Sequence, residues 1–238
     1  MSSGPSSRRQ RNVRRPRGGA RKSDAARARR DPGTETGAFS RVPPRSRIDR
    51  VASALRRNGF DVSVVADGNA AREEVLGRLS PTDEVLEAHS KTLEDVGLIG
   101  AGAPQGRYRR LRPRLQELGR QGLPSEKRRL GASPEVVMGS VQAVTESGEL
   151  VVASGSGSQL GPYSYGAGRV IWVVGAQKIV RDLAEAIRRV EEYALPWEDA
   201  RVRKLGGTGS SINKLLVIRG EHQAHRALVV LVARPVGI

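Results

Sequence analysis

Hydrophobic and polar positions alternate along the chain with two periods, one typical of helices and the other typical of strands. The helical period predicts an amphipathic helix over residues 47–59 and a second helix over residues 69–79, which Asp67 can cap. A third helix is predicted to begin at Leu93, and a fourth spans residues 179–193. Strands are predicted in the segments 60–66, 84–88, 135–141, 149–153, 170–174, 214–219 and 226–233.

The order of these elements indicates the fold class. Strands and helices that alternate with short connections are typical of right-handed crossover units, which build a largely parallel sheet. Residues 170–174 form a near-continuous apolar run, as expected for a central strand that is covered on both faces. The pattern therefore predicts one α/β domain over residues 46–238, with a three-layer αβα arrangement and a mixed, mostly parallel central sheet.

Composition sets the first 45 residues apart from this domain. Residues 1–47 contain 14 Arg or Lys residues against 3 Asp or Glu residues, a balance of +11 within a whole-chain charge of +16. The same segment has no Leu or Ile, so it has too little apolar surface to offset the entropy of ordering the chain. We predict that residues 1–45 form a disordered, arginine-rich tail.

Two interpretations of the basic tail stay open. Its arginines can contact phosphates, which predicts weak, non-specific and salt-dependent binding to nucleic acid. Alternatively, the tail is translated upstream sequence without a role, and the natural start lies near Val42 or Val51. A second basic segment, residues 107–129, is predicted to be helical on both sides of Gly122-Leu123-Pro124, with its charges on a solvated face or in a phosphate groove.

Composition also excludes or disfavours several classes of site. The chain has no cysteine, which excludes disulfides, thiolate nucleophiles and iron–sulfur clusters held by this chain alone. Three histidines leave little for a metal site, and His222 and His225 lie in a polar loop that we interpret as a solvated hairpin connection. No apolar run reaches the roughly 20 residues that cross a bilayer, and the N-terminus lacks the apolar segment of a secretory signal. We therefore expect a cytoplasmic protein without a membrane span.

Three loops rich in glycine, serine or polar residues lie beside predicted strands. In open α/β sheets, ligands bind beyond the carboxyl ends of the strands, where small residues permit positive φ and let backbone N–H groups converge on an anion. None of the three loops matches a phosphate-loop or dinucleotide fingerprint. Ser90 or Thr92 can cap the predicted helix that begins at Leu93. Together with these two residues, the loops supply the candidate ligand-binding residues, which are Ser90, Thr92, Ser154, Gly155, Ser156, Gly157, Ser158, Gln159, Lys178, Gly207, Ser210, Ser211, Asn213 and Lys214.

Candidates for catalysis are weaker. The sequence has no GxSxG elbow, and no histidine stands in a setting typical of a triad partner. His89 follows a predicted strand and either lines the site or takes part in ordinary capping, while Glu146 is either a hairpin carboxylate or a nucleophile or base. The sequence therefore assigns no catalytic residue and no metal ligand.

Four stretches resemble the LUD family of lactate-utilisation proteins, in the expected order over about residues 47–238. The specific part is residues 136–180, which contain VQAVTESGELVVASGSGSQL (141–160) and GAGRVIWVVGAQKIV (166–180). The shorter stretches SKTLEDVGL (90–98) and SSINK (210–214) agree with it. The resemblance implies a bacterial-type domain whose fold is similar to that of ribose-phosphate isomerase, glucosamine-phosphate deaminase and the CoA-transferases.

The resemblance also implies a function, namely an accessory or ligand-binding component of the system that oxidises L-lactate to pyruvate. The cysteine-free sequence resembles the cluster-free member, lactate-utilisation protein C, so iron–sulfur proteins would be its partners and this chain would bind an organic acid or phosphorylated ligand without a cofactor. An alternative is a stand-alone transferase or isomerase for a phosphorylated or CoA-linked substrate, with Glu146 or Lys178 at its centre. A third hypothesis is nucleic-acid binding through the basic tail.

Overall fold

The computed structural model of the chain describes Met1 and residues 36–238. Most of the predicted arginine-rich tail, and with it the hypothesis of nucleic-acid binding through that tail, lies outside the described residues. Ahead of the first helix, Phe39 is buried and its ring packs against that of Tyr193, with the ring centroids 6.2 Å apart. The packed part of the chain therefore includes residues that precede the first helix.

The described residues form two sheets. The strands are, in chain order, β1 (Asp61–Val65), β2 (Glu84–Glu87), β3 (Arg109–Arg110), β4 (Val136–Gly139), β5 (Ala143–Thr145), β6 (Leu150–Ser154), β7 (Arg169–Gly175), β8 (Ile179–Val180), β9 (Lys214–Ile218) and β10 (Ala227–Val232). The central sheet has the order β1-β10-β7-β4-β2-β3, and every neighbouring pair in it is parallel. The predicted α/β fold with a mostly parallel central sheet is confirmed.

The described residues form seven α-helices, two of which begin at side-chain caps that the sequence indicates. The helices are α1 (Arg45–Arg57), α2 (Gly68–Gly77), α3 (Lys91–Asp95), α4 (Arg112–Arg120), α5 (Pro124–Ala132), α6 (Leu183–Arg189) and α7 (Leu195–Lys204). The side chain of Asp67 accepts a hydrogen bond from the Ala70 amide at 3.0 Å, and Ser90 Oγ accepts one from the Leu93 amide at 3.4 Å. These two caps satisfy amide groups that the first turns of α2 and α3 leave free.

The second sheet has the order β8-β5-β6-β9 and is mixed, because β5 and β9 are both antiparallel to β6 whereas β8 is parallel to β5. The sequence pattern suggests one mixed central sheet, but the structure moves its antiparallel strands into this separate layer. An antiparallel sheet tolerates one solvated face, and Lys214 and Leu215 of β9 are indeed exposed.

The prediction of one helix over residues 179–193 is wrong at both ends. Ile179 and Val180 form β8, because they pair with Val144 and Thr145 of β5. The side chain of Asp182 accepts a hydrogen bond from the Glu185 amide and starts α6 instead. At the other end a π-helical turn, residues 190–194, carries the chain directly into α7. Pro196 in the first turn of α7 has no N–H to donate, and a π turn before it accommodates the missing hydrogen bond.

Apolar side chains pack on both faces of the central sheet. On one face Trp172 and Val174 belong to a cluster that includes residues of α1 and of the second sheet. On the other face Ile171 and Val173 belong to a cluster that includes residues of α2 and α3. The near-continuous apolar run of β7 is explained by this burial on both faces.

Candidate functional site

The segments that follow β2, β4 and β7 emerge at the same edge of the central sheet, because these neighbouring strands run in parallel. They supply residues 88–92, 140–142 and 176–178. Small polar and charged side chains replace the apolar ones of the strands at this point. The carboxyl edge of the sheet is therefore the candidate site.

Lys178 is the centre of this edge. Its side chain is buried, and Nζ donates hydrogen bonds to Thr92 Oγ1 at 2.8 Å, to Ser140 Oγ at 3.0 Å and to the Val141 carbonyl oxygen at 3.1 Å. All three acceptors are neutral oxygens. Burial lowers the pKa of Lys178 well below its usual value, and the nearby Arg189 lowers it further, whereas Asp95 acts in the opposite direction. The lysine therefore joins three chain segments through a buried amino group whose charge is poorly compensated.

Replacing Lys178 by methionine is expected to remove a pH-dependent contribution to stability. Because the pKa is lowered in the folded protein, the unfolded chain retains a proton that the folded protein has lost, over the window between the folded pKa and 10.5. The free energy of unfolding of the natural protein should rise with pH across this window, by at most about 1.4 kcal/mol per pH unit. Urea unfolding between about pH 7 and pH 10 measures this rise.

The exposed Lys204 provides the matched control for this experiment. The Lys204→Met variant should change the free energy of unfolding by less than about 0.5 kcal/mol, because Lys204 is exposed on the surface. A constant difference between the natural protein and the Lys178→Met variant over the whole pH range would contradict the prediction.

Arg189 is a second buried basic side chain behind the same edge. Its Nη1 donates to the Gln142 carbonyl oxygen, its Nη2 donates to the Phe39 carbonyl oxygen at 3.3 Å, and its guanidinium lies 5.0 Å from the centroid of the Tyr193 ring. Its Nε has no hydrogen-bond acceptor among the described residues. Burial lowers the pKa of Arg189 to about 10. Two basic side chains whose hydrogen-bond acceptors are neutral oxygens thus lie under the strand ends.

A partly exposed set of charged groups lies outside the buried lysine. Arg112 donates to the carbonyl oxygen of Glu87 at the end of β2, and Arg201 binds both carboxylate oxygens of Glu198, at 2.7 and 2.8 Å. His89 Nε2 lies 3.6 Å from a carboxylate oxygen of Glu94. The pKa of His89 is lowered by burial first and then by Arg201 and Arg112. The positive groups at this rim therefore outweigh its two carboxylates at the position of the imidazole.

The two long Gly/Ser loops predicted from the sequence, residues 154–159 and residues 206–214, do meet. The Asn213 side chain donates a hydrogen bond to the Gly155 carbonyl oxygen, and its backbone amide donates one to the Ser154 carbonyl oxygen, both at 3.2 Å. Ser154 Oγ accepts from the Gly157 amide and donates to Gln159 Oε1. Ser156 and Ser158 are exposed and form a hydrogen bond with each other, and the Lys214 side chain lies over Gly157. Gly207 packs against α7, and Asp199 of that helix accepts a hydrogen bond from the Ser210 amide.

These loops and Lys178 are linked through Gln142. The Gln142 side-chain oxygen accepts a hydrogen bond from the amide of Ala153, the residue before the first loop, at 2.9 Å. The carbonyl oxygen of Val141, the residue before Gln142, accepts a hydrogen bond from Lys178. Of the predicted residues, Thr92 and Lys178 are in direct contact, whereas Ser90 caps α3 beside them. No hydrogen bond joins Lys178 to either Gly/Ser loop within the described part of the chain.

Comparison with known proteins supplies the family. A family model of the LUD domain matches residues 48–232, which is most of the chain. The chain belongs to the LUD domain family. The resemblance noted in the sequence is confirmed, and membership relates this LUD domain to lactate utilisation at the level of the family.

Solved structures show more distant similarities to this LUD domain. A DUF162 family protein from Deinococcus radiodurans is 15% identical, with coverage of 79% of this chain and 96% of that chain and a TM-score of 0.48. The eIF2B beta protein from Chaetomium thermophilum is 21% identical, with coverage of 51% of this chain and 42% of that chain and a TM-score of 0.33. No curated protein matches this chain.

The segment after β10 lies across the carboxyl edge of the LUD domain. The Gln177 side chain donates to the Val236 carbonyl oxygen at 2.9 Å, and the Gly237 amide donates to Asp95 Oδ2 at 3.0 Å. Gly237 has a positive φ of 71°, and a Cβ there would lie 2.1 Å from Thr92 Oγ1. Only glycine fits this position, so the close approach of residues 236–237 helps to shield Thr92 and Lys178 from solvent.

Other polar groups of the LUD domain lie away from this edge. Glu146, in the turn after β5, pairs with Arg47 of α1 at 2.7 Å. An open cavity of about 670 Å³ lies at the opposite, amino-terminal end of β1 and β10, where His222 and His225 are largely exposed. Within residues 36–238, no three His, Asp or Glu side chains are close enough to hold a metal ion, and no helix is long and apolar enough to cross a membrane.

Three residues of the site carry no clear signal in the sequence. Arg112 stands in a basic segment where every cation looks equally solvated, and Arg201 lies beyond the predicted end of its helix. Arg189 has the spacing of an exposed helical residue, yet it is fully buried. Each reaches the edge through tertiary packing, which hydrophobic periodicity does not encode.

Proposed function

We propose that this LUD domain is an accessory, ligand-binding component of lactate or organic-acid utilisation, and that its ligand is a small carboxylate bound at the carboxyl edge of the central sheet. The observation that carries the proposal is the pairing of buried Lys178 with the hydroxyl groups of Thr92 and Ser140 at adjoining strand ends. A carboxylate bound near Lys178 would favour the protonated form of its buried amino group, because Coulomb interactions are strong where water is excluded.

The rim of the site provides the groups that contact the ligand in this proposal. Guanidinium groups bind carboxylates through charge-assisted hydrogen bonds. Arg201 holds the Glu198 carboxylate through Nε and Nη2, and its Nη1, which has no acceptor among the described residues, is available to a ligand. Arg112 uses one of its nitrogens for the Glu87 carbonyl oxygen, so its remaining N–H groups are available to a carboxylate. The loops that contain Ser154–Gln159 and Ser210–Lys214 form the outer wall in this arrangement.

Redox chemistry in this proposal belongs to partner proteins. A chain without cysteine offers no thiolate for an iron–sulfur cluster, so any such cluster used in the oxidation of L-lactate to pyruvate would lie on another chain. We propose iron–sulfur lactate-utilisation proteins as these partners. The role of this chain is then to bind and orient the organic acid.

The Arg201→Gln variant tests the proposed site by calorimetry and thermal shift with L-lactate and pyruvate. A ligand at 100 times its Kd should stabilise the full chain by about 2.7 kcal/mol. Loss of one charge-assisted hydrogen-bonded group costs about 1.5–3 kcal/mol, so the variant should bind about ten- to a hundredfold more weakly. The matched control is Arg188→Gln, which removes an ion-paired arginine from α6 and should leave affinity unchanged.

Two outcomes would contradict the proposal. One is the absence of any binding of organic acids to the natural protein, and the other is an equal loss of affinity in the Arg201 and Arg188 variants. Binding of sugar phosphates or CoA esters in place of organic acids would instead favour a transferase or isomerase function.

A further inference from the structure

A helical hairpin, residues 112–132, projects from the edge of the central sheet next to β3. It consists of α4 and α5, which pack antiparallel so that Gly131 lies close to Leu115. No side chain of either helix is buried, and Leu115 and Leu118 are only half covered. The hairpin therefore adds little to the hydrophobic core, and its surface is free for another role.

The hairpin and the strand before it carry a strong positive charge. Residues 107–129 contain nine cations and two carboxylates, a balance of +7 out of +16 for the whole chain. Within residues 36–238, carboxylates pair with only two of these cations, Arg110 with Glu87 and Arg120 with Glu117. The exposed cations without a carboxylate partner among the described residues are Arg107, Arg109, Arg114, Lys127, Arg128 and Arg129.

The fold brings like charges of the hairpin together. A Cβ at Gly119 would lie 3.3 Å from Lys127 Nζ, which places this ammonium beside the residue that precedes Arg120. Arg128 and Arg129 follow on the same helix, and the Arg128 guanidinium donates to the uncharged Ser125 Oγ at 3.3 Å. Clustered charges of one sign repel each other, and a polyanion that binds across them relieves this repulsion.

We propose that the exposed cations of this hairpin form a binding surface for the phosphate backbone of double-stranded DNA, independent of base sequence. Eight of the nine cations in residues 107–129 are arginines, whose planar guanidinium fits two phosphate oxygens. The aromatic residue of the segment, Tyr108, is buried against Glu87 and offers no ring for base stacking. A surface of arginines without stacking rings favours the duplex backbone over single strands.

Fluorescence anisotropy with the full chain and a labelled duplex of roughly 20 base pairs tests the proposal at several salt concentrations. The hairpin variant combines R114Q, K127Q, R128Q and R129Q, and the control variant combines R45Q, R50Q, R57Q and R188Q, which removes the same total charge elsewhere. None of these side chains is buried, so circular dichroism should show both variants folded. The hairpin variant should bind about ten- to a hundredfold more weakly near 0.1 M salt, with a salt slope smaller by about 3–4.

Several results would overturn this proposal. They are the absence of duplex binding by the natural protein at low salt, equal losses in the two variants, and unchanged binding in the hairpin variant. Competition by polyglutamate as effective as that by unlabelled duplex of equal charge would assign the surface to an acidic protein instead. A preference for single strands over the duplex would also overturn it.

Discussion

Replacing Glu221 by glutamine is expected to lower the free energy of unfolding by about 3–5 kcal/mol, because the substitution leaves a buried guanidinium without its counter-charge. Arg226 Nη1 lies 2.5 Å from Glu221 Oε2, and the two side chains are only 5% and 10% exposed. Arg226 also donates to the carbonyl oxygens of Pro162, Tyr163 and Ala167. Its charge therefore stays buried when the carboxylate is removed. Urea unfolding at neutral pH measures the loss.

The pH dependence of this loss gives a second test. Burial alone would raise the pKa of Glu221, but the Gln223 amide and Arg226 together hold it below its usual value of 4.5. The carboxylate thus contributes stability above pH 4.5, and this contribution is lost as the pH falls through the folded pKa. The difference between the natural protein and the variant should shrink in acid.

Glu192 supplies the control, since its pair with Arg188 is about half exposed on both sides. Its replacement by glutamine should change stability by less than about 1 kcal/mol, as is usual for surface ion pairs. A loss for Glu221→Gln no larger than this would show that Arg226 is solvated or paired otherwise.

The same loop shows where sequence reasoning stops. The polar run from residue 220 to residue 225 is interpreted above as a solvated hairpin connection, and His222 and His225 are indeed 98% and 86% exposed. The connection is nevertheless not a hairpin, because β9 lies in the second sheet and β10 in the central one. Glu221 pairs there with the buried Arg226, which in turn donates to carbonyl oxygens of residues 162–167, a segment distant in sequence.

Elements with strong local signals are predicted well. The helix of residues 47–59 is confirmed as α1 with Ile48, Val51 and Leu55 buried, and the run of residues 170–174 is confirmed as the middle of β7. In each case helical periodicity or an unbroken apolar run predicts directly which side chains are buried. The family resemblance, carried by residues 136–180, is confirmed as well.

Short elements that depend on distant pairing are missed. β5 has three residues and β8 has two, and each is stabilised by the other across more than 30 positions of sequence. The candidate site divides in the same way. Thr92 and Lys178 follow directly after a cap and a strand, so the sequence alone predicts their place at the edge. Arg112 and Arg201 come from helices whose approach to the edge depends on packing. Whether the Gly/Ser loops bind a ligand stays a prediction.

The second large effect is expected at Trp172, whose replacement by alanine should cost about 3–5 kcal/mol of stability. Trp172 lies in the middle of β7, is fully buried, and packs edge-on against Phe60 and Tyr163, with ring centroids 6.2 and 5.4 Å away. Alanine would leave a cavity between α1, the second sheet and the central strand. Tyr163 would lose its ring contact with Trp172. Because the Tyr163 hydroxyl lies against Gly139 at the end of β4, this loss would extend to the neighbourhood of the candidate site.

Trp172→Phe is the matched variant, because it keeps an aromatic ring but removes the indole N–H, which has no acceptor among the described residues. Its cost should stay below about 1.5 kcal/mol, since an unpaired buried donor is itself unfavourable. Urea unfolding followed by circular dichroism compares the variants, and the remaining Trp197, 56% exposed, should give red-shifted emission in both. If Trp172→Phe costs as much as Trp172→Ala, the indole nitrogen has a partner, such as a buried water, and the stability of β7 depends on that bond as much as on packing.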